Sequence, residues 1–105
     1  MSFLRLSYGH PLSGDEARER LSVLGEYLGA SHGIAVSWTS TDAATVRGVY
    51  LTISVEAVVL LEPGAVVFEA KDPGEQWRAR VREYFEGKLA RYLDPETPLS
   101  ELPRE

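Results

Sequence analysis

Apolar and polar residues alternate through much of the stretch from Ile34 to Lys71, whereas from Ala17 to Leu28 and from Trp77 to Tyr92 the apolar residues recur every three to four positions. Period two sends side chains to opposite faces of a strand, and a period near 3.6 gathers them into a stripe along a helix. A chain carrying both patterns buries its apolar surface by laying amphipathic helices on a sheet.

The first helix is announced by Ser13-Gly14-Asp15-Glu16. The Ser13 hydroxyl can accept the N–H of Glu16 while the Glu16 carboxylate reaches back to the N–H of Ser13, with Leu12 and Ala17 at the flanking staple positions. This spacing predicts a helix from Gly14 with Ala17, Leu21, Leu24 and Leu28 as its stripe, Val23 and Tyr27 widening it, and an end in the Gly29 to Gly33 region. The second start signal is Asp72-Pro73-Gly74-Glu75, read as an Asp72 N-cap with Pro73 at the first helical position. Trp77, Val81, Tyr84, Phe85, Leu89 and Tyr92 form its broad apolar face, and it stops before Asp94-Pro95 because a residue preceding proline avoids helical geometry.

Leu4, Leu6 and Tyr8 share one face of a first strand ending at Gly9, and Ile34, Val36 and Trp38 one face of a second. From Ala44 onward the inward parity changes near Arg47-Gly48, with Val46, Gly48 and Tyr50 on one side and Val49, Leu51 and Ile53 on the other, which predicts a bulge at the glycine. Val55 to Leu61 is an apolar run, and Glu62-Pro63-Gly64-Ala65 has proline and glycine at the central positions of a type II turn into a returning strand, Ala65 to Lys71. The order predicts an α+β fold, β-α-β-β-β-β-α, with an antiparallel sheet and both amphipathic helices packed on one face. Residues 1–93 make a single domain and residues 94–105 an acidic, proline-rich extended tail.

Composition narrows the function classes. The 105 residues, 44% hydrophobic, suit one core. The absence of cysteine removes disulfides and thiolate metal sites. A net charge of -5 opposes nucleic-acid binding, and Arg78, Arg80, Arg82, Lys88 and Arg91 spread around their helix among acids instead of forming a stripe. No apolar run is long enough for an integral membrane segment, and the first residues lack the pattern of a signal peptide, so a cytoplasmic protein is expected.

The residues also carry a likeness. His10-Pro11-Leu12 followed by Glu16-Ala17-Arg18, then Val36-Ser37-Trp38, Arg47-Gly48-Val49 and the amphipathic helix through Val81 to Leu93 resemble the bacterial polyhydroxyalkanoic acid system proteins, a polyhydroxyalkanoate granule-associated family, over about residues 5 to 93. The polar connection from Glu69 to Trp77 departs from that pattern. The resemblance implies a small, non-catalytic accessory or binding protein of polyester storage, whose partner is a protein or the granule surface.

Five side chains are candidate ligand-binding residues: His10, Arg18, Trp38, Trp77 and Lys88. His10, on the turn into the first helix, titrates near neutrality and with Glu16 and Arg18 could edge a cavity; its simpler role is a hydrogen bond to a loop carbonyl. Lys88 projects from the apolar arc of the second helix, either with its stem packed and its ammonium emerging, or as a cation at a pocket rim. Trp38, Tyr50, Phe68, Trp77, Tyr84, Phe85 and Tyr92 either fill a core or line a cavity for an acyl-like ligand. His32 is expected exposed at a helix end. The two histidines lack metal-ligand spacing, no nucleophile elbow or phosphate loop is present, and no cofactor is expected.

Three readings follow: a partner- or granule-binding protein with an exposed apolar patch, for which the hairpin face with Val58, Leu60 and Val67 is a candidate that would serve equally for a homodimer; a carrier with a cavity beside Trp38 and Trp77; and an enzyme using His10.

Overall fold

The computed structural model describes residues 3–50 and 52–105, the side chains at 3 and 50 excepted. Leu51 and the Tyr50 side chain, to which the sequence pattern assigns faces, lie outside that description. The elements are β1 (Phe3–Gly9), α1 (Gly14–His32), β2 (Ala35–Trp38), β3 (Ala43–Tyr50), β4 (Ile53–Glu62), β5 (Ala65–Lys71), α2 (Glu75–Tyr92) and a single 3-10 turn, Leu99–Glu101. The strands form one antiparallel sheet in the order β1-β5-β4-β3-β2.

β1 and β2 therefore occupy opposite edges, and α1 must carry the chain across the sheet between them. Five strands span about 19 Å, and a 19-residue helix is about 28 Å long, enough to cross the face diagonally. The Ser13 hydroxyl accepts the Glu16 N–H at 3.2 Å, the first half of the predicted capping box, while the Glu16 carboxylate turns to Arg20, 3.4 Å from its Nε, instead of to the Ser13 N–H. Gly33, at φ 67°, turns the chain out of the helix with its N–H on the Gly29 carbonyl. Both helices bury their stripes on one face: Ala17, Leu21, Leu24 and Leu28 of α1 and Phe85, Leu89 and Tyr92 of α2 join Leu4, Leu6, Val46, Val66 and Phe68 of the sheet in one core.

Gly48 differs from expectation. The β3–β4 register runs unbroken from Ala43↔Leu60 to Tyr50↔Ile53, so there is no bulge. The glycine is needed for a close approach instead: a Cβ there would stand 2.9 Å from the Ile34 Cα. The β4–β5 hairpin is as predicted, with Gly64 at φ 73° in the turn.

The start of α2 also shifts. Asp72 does not cap the helix; its carboxylate accepts the Gly74 N–H at 2.9 Å and the Arg78 Nε–H at 2.9 Å, and helical residues begin at Glu75. Gly74, at φ 105°, makes the sharp turn that places the N-cap two residues later than the Asp-Pro-Gly pattern indicates. The bonds from Arg78 hold the Asp72 carboxyl below its ordinary range.

Residues 94–105, expected as an extended tail, fold back instead. Leu102 is buried in the core cluster, the Tyr92 hydroxyl donates to the Pro103 carbonyl at 2.6 Å, and Arg104 pairs with Glu26 of α1. The end of α2 is held from the other side by Arg20, 4% exposed, whose Nη1 donates to the carbonyls of Tyr92 at 3.2 Å and Asp94 at 2.9 Å. Its Nε stands 3.4 Å from Glu16, close enough for charge attraction though not aligned as a hydrogen bond.

Gly48→Ala is expected to cost about 1 to 3 kcal/mol in denaturant unfolding, because the new methyl meets backbone. Gly87→Ala, on α2 with nothing within 4 Å of its would-be Cβ, should stabilise by about 0.5 to 1 kcal/mol. Arg20→Ala removes the donor of two carbonyls and is expected to cost about 2 to 4 kcal/mol in the same assay.

Candidate functional site

The pairing of β4 with β5 stops at Ala57↔Ala70, yet β4 continues back to Ile53 paired with β3 alone, while β5 continues to Lys71 paired with β1. β4 thus runs on past the end of β5. Over this overhang stands the N-terminal half of α2, where Trp77, Val81 and Tyr84 are only half-buried, in contrast to Phe85, Leu89 and Tyr92 further along. Between them lies a cleft of about 200 Å³.

Burial grades steeply through this cleft. Its floor is made by the buried Ile34, Phe68, Ala70 and Phe85, its walls by half-buried residues including Val55, Trp77 and Val81, and its rim by the exposed Ser54, Glu56, Lys71 and Arg80. The rim's Arg80 guanidinium lies 5.7 Å from the centre of the Trp77 ring. The Asp72 bonds to Gly74 and Arg78 pin the connection whose Pro73 closes one end. A second apolar void of about 40 Å³ lies beneath Trp38 and Val36. Phe68 and Phe85 line both, their ring centres 4.3 Å apart, and form the partition.

The predicted site residues divide among four places. Trp77 is at the cleft wall. Trp38 belongs to the smaller void, with the Arg18 guanidinium 4.7 Å from its ring centre, so the structure brings these two candidates together as a cation–π pair. Lys88 lies outside both voids: its Nζ is 4.2 Å from the Tyr27 ring centre and 5.6 Å from that of Tyr84, between the two helices. His32, expected exposed, is half-buried and edge-on to the same two tyrosine rings. Of the aromatic set, Phe68, Trp77, Tyr84 and Phe85 line the larger cleft, whereas Tyr92 is fully buried and bonded to the C-terminal segment.

His10 is at the far end of the β4–β5 hairpin from the cleft, where its backbone N–H donates to the Gly64 carbonyl at 2.9 Å. Its Nδ1 accepts the Leu12 N–H at 3.1 Å, so that nitrogen carries no proton, and burial lowers the imidazole pKa from its ordinary 6.5. The bond expected for it, to a loop carbonyl, is replaced by one of the opposite sense, with the ring accepting a backbone N–H.

The cleft residues missed by sequence reading include those of the β4 overhang, Ile53 to Val55, together with Ala70, Lys71 and Arg80. A local pattern marks each strand but not where one outruns its neighbour. Among the described residues no helix is long and apolar enough to cross a membrane. No family model matches the chain, and no curated protein matches it. Among solved structures it is similar to DynU16, described as a protein in the dynemicin biosynthetic locus, with a TM-score of 0.63 and 18% identity over 94% of this chain. This chain spans about half, 49%, of that one. At such identity the likeness is one of fold.

The His10 geometry sets a pH dependence. As pH falls through 6.5, the unfolded chain binds the His10 proton before the folded chain does, so stability falls with acidification below that value. His10→Gln should remove this component, seen as a smaller loss of unfolding free energy between pH 7.5 and 5.5 than in the wild type; equal losses would place the acid sensitivity elsewhere.

Proposed function

We propose that this protein binds a small apolar ligand, of the size of a short acyl chain, in the cleft between the end of the sheet where β4 outruns β5 and the first turns of α2. The observation that carries this reading is the graded lining, with a buried apolar floor, aromatic walls and a charged rim opening to solvent. A core that merely packed would close over Phe68 and Phe85 with the same residues.

The other readings draw less support from the geometry. A granule or partner contact through the outer sheet face calls for a broad apolar patch, yet in the row Val58, Leu60 and Val67 only Val58 is exposed, at 39%, and Val67 is 2% exposed. Val49, at 59%, is the other exposed large hydrophobic among the described residues. Acid–base work by His10 calls for a titratable partner in a cleft, whereas its ring accepts a backbone N–H one hairpin length from the cleft. A place in polyester storage is compatible with an acyl-binding cleft, and rests on the sequence resemblance alone.

The test is titration with 1-octanol, an uncharged probe, followed by the fluorescence of the two tryptophans and by thermal unfolding. Saturable binding is expected, with stabilisation of about 2.7 kcal/mol at a probe concentration one hundred times Kd. Val81→Phe, which fills the cleft from the helix side, should abolish it. Absence of any saturable change in the wild type would refute the reading.

A further inference from the structure

We infer that the ligand is an amphiphile with an anionic head, a carboxylate on a chain of about six or seven carbons, held with its chain in the cleft and its head at Arg80 and Lys71. This rests on the binding reading above and names the chemical class it selects. The size follows from the volume: at about 30 Å³ for a unit the size of a water or methylene, 200 Å³ accommodates roughly six or seven.

The charge follows from the rim. Arg80 and Lys71 make no ion pair among the described residues, although Glu83 lies one turn along from Arg80. Their neighbour Arg78 is already committed to Asp72. The rim's carboxylate, Glu56, lies opposite Arg47 in the β3–β4 register without an ion pair between them. The opening thus holds two cations and one carboxylate, a positive excess, with the Arg80 guanidinium near the ring of Trp77 on the cleft wall. An arginine fork presents two parallel N–H donors that fit a carboxylate, and an acyl chain extended from that carboxylate would enter the apolar lining directly. A neutral head would leave both cations unanswered, and a cationic head would be repelled.

Three probes with one chain and different heads separate this inference from the one it rests on: octanoate, 1-octanol and octylammonium, titrated calorimetrically at low ionic strength. Octanoate is expected to bind about fivefold tighter than 1-octanol, the scale of an exposed ion pair, with octylammonium weakest. Added salt should narrow the octanoate preference. Arg80→Gln and Lys71→Gln should each bring the octanoate to octanol ratio toward one, and Arg80→Lys should retain part of it. If 1-octanol binds as well as octanoate in the wild type, or if the ratio survives both substitutions, the anionic head is wrong and the apolar cleft stands. If none of the three binds, both fall together.

Discussion

The contact of Phe85 with Phe68 decides where α2 touches the sheet, and most of what is distinctive in this fold follows from it. The two rings lie 4.3 Å apart at the middle of β5, and beyond them toward the C-terminus Leu89 and Tyr92 are buried. A helix laid on a twisted sheet stays in close contact over only part of its length. With the contact placed at Phe85, the first turns of α2 stand off, over the same end at which β4 outruns β5. Sealed and dry, an apolar volume of 200 Å³ would forgo packing worth about 5 kcal/mol by the slope measured for engineered cavities. Two larger side chains among the small or half-buried ones at its edges, such as Ala70 and Val81, would fill much of it.

The stability that tolerates such a void is concentrated at the opposite end of α2. Arg20 reaches from α1 to the carbonyls of Tyr92 and Asp94, and the Tyr92 hydroxyl holds Pro103. Carbonyls at a helix C-terminus lack intrahelical donors, and a buried guanidinium both satisfies them and complements the negative end of the helix dipole. The C-terminal segment then covers this junction with Leu99 and Leu102. One end of α2 is thus fastened by buried hydrogen bonds and core packing, and the other by the bidentate Asp72–Arg78 pair beside the cleft, whose guanidinium is half exposed. The cleft end therefore depends more on a contact that salt can screen.

Most of the architecture was legible in periodicity, because alternation and the 3.6 repeat report directly which face is buried. Leu4, Leu6 and Tyr8, the α1 stripe and the Ser13 cap all fall as their spacing requires. What escaped was set by tertiary contact. Gly48 looks like a bulge locally, but its reason is Ile34 on the neighbouring segment. Asp72 has the composition of a cap, yet Arg78 competes for its carboxylate and Gly74 redirects the chain. Arg20 reads as a surface charge until the end of α2 is brought against it. Proline and acidic residues after Leu93 read as a tail, while Leu99 and Leu102, spaced three apart, were the signal that the segment docks. Of the candidate site, Trp77 was found from the helix face, whereas Arg80 carries no local mark separating it from the other arginines of α2.

The rim also shows how a chain with a net charge of -5 presents a positive opening. Exposed charges farther apart than about 10 Å are largely screened at ordinary ionic strength, so the acidic surplus elsewhere acts weakly on a ligand at the cleft. Charges within a few ångströms of its head group act strongly, and there Asp72 is answered by Arg78 while Lys71 and Arg80 outnumber Glu56. Selectivity at such a site comes from which charges are already paired, not from the total. Histidine chemistry has no part in it, since His10 sits one length of β5 away, about 20 Å for seven residues, with its ring nitrogen turned to its own backbone.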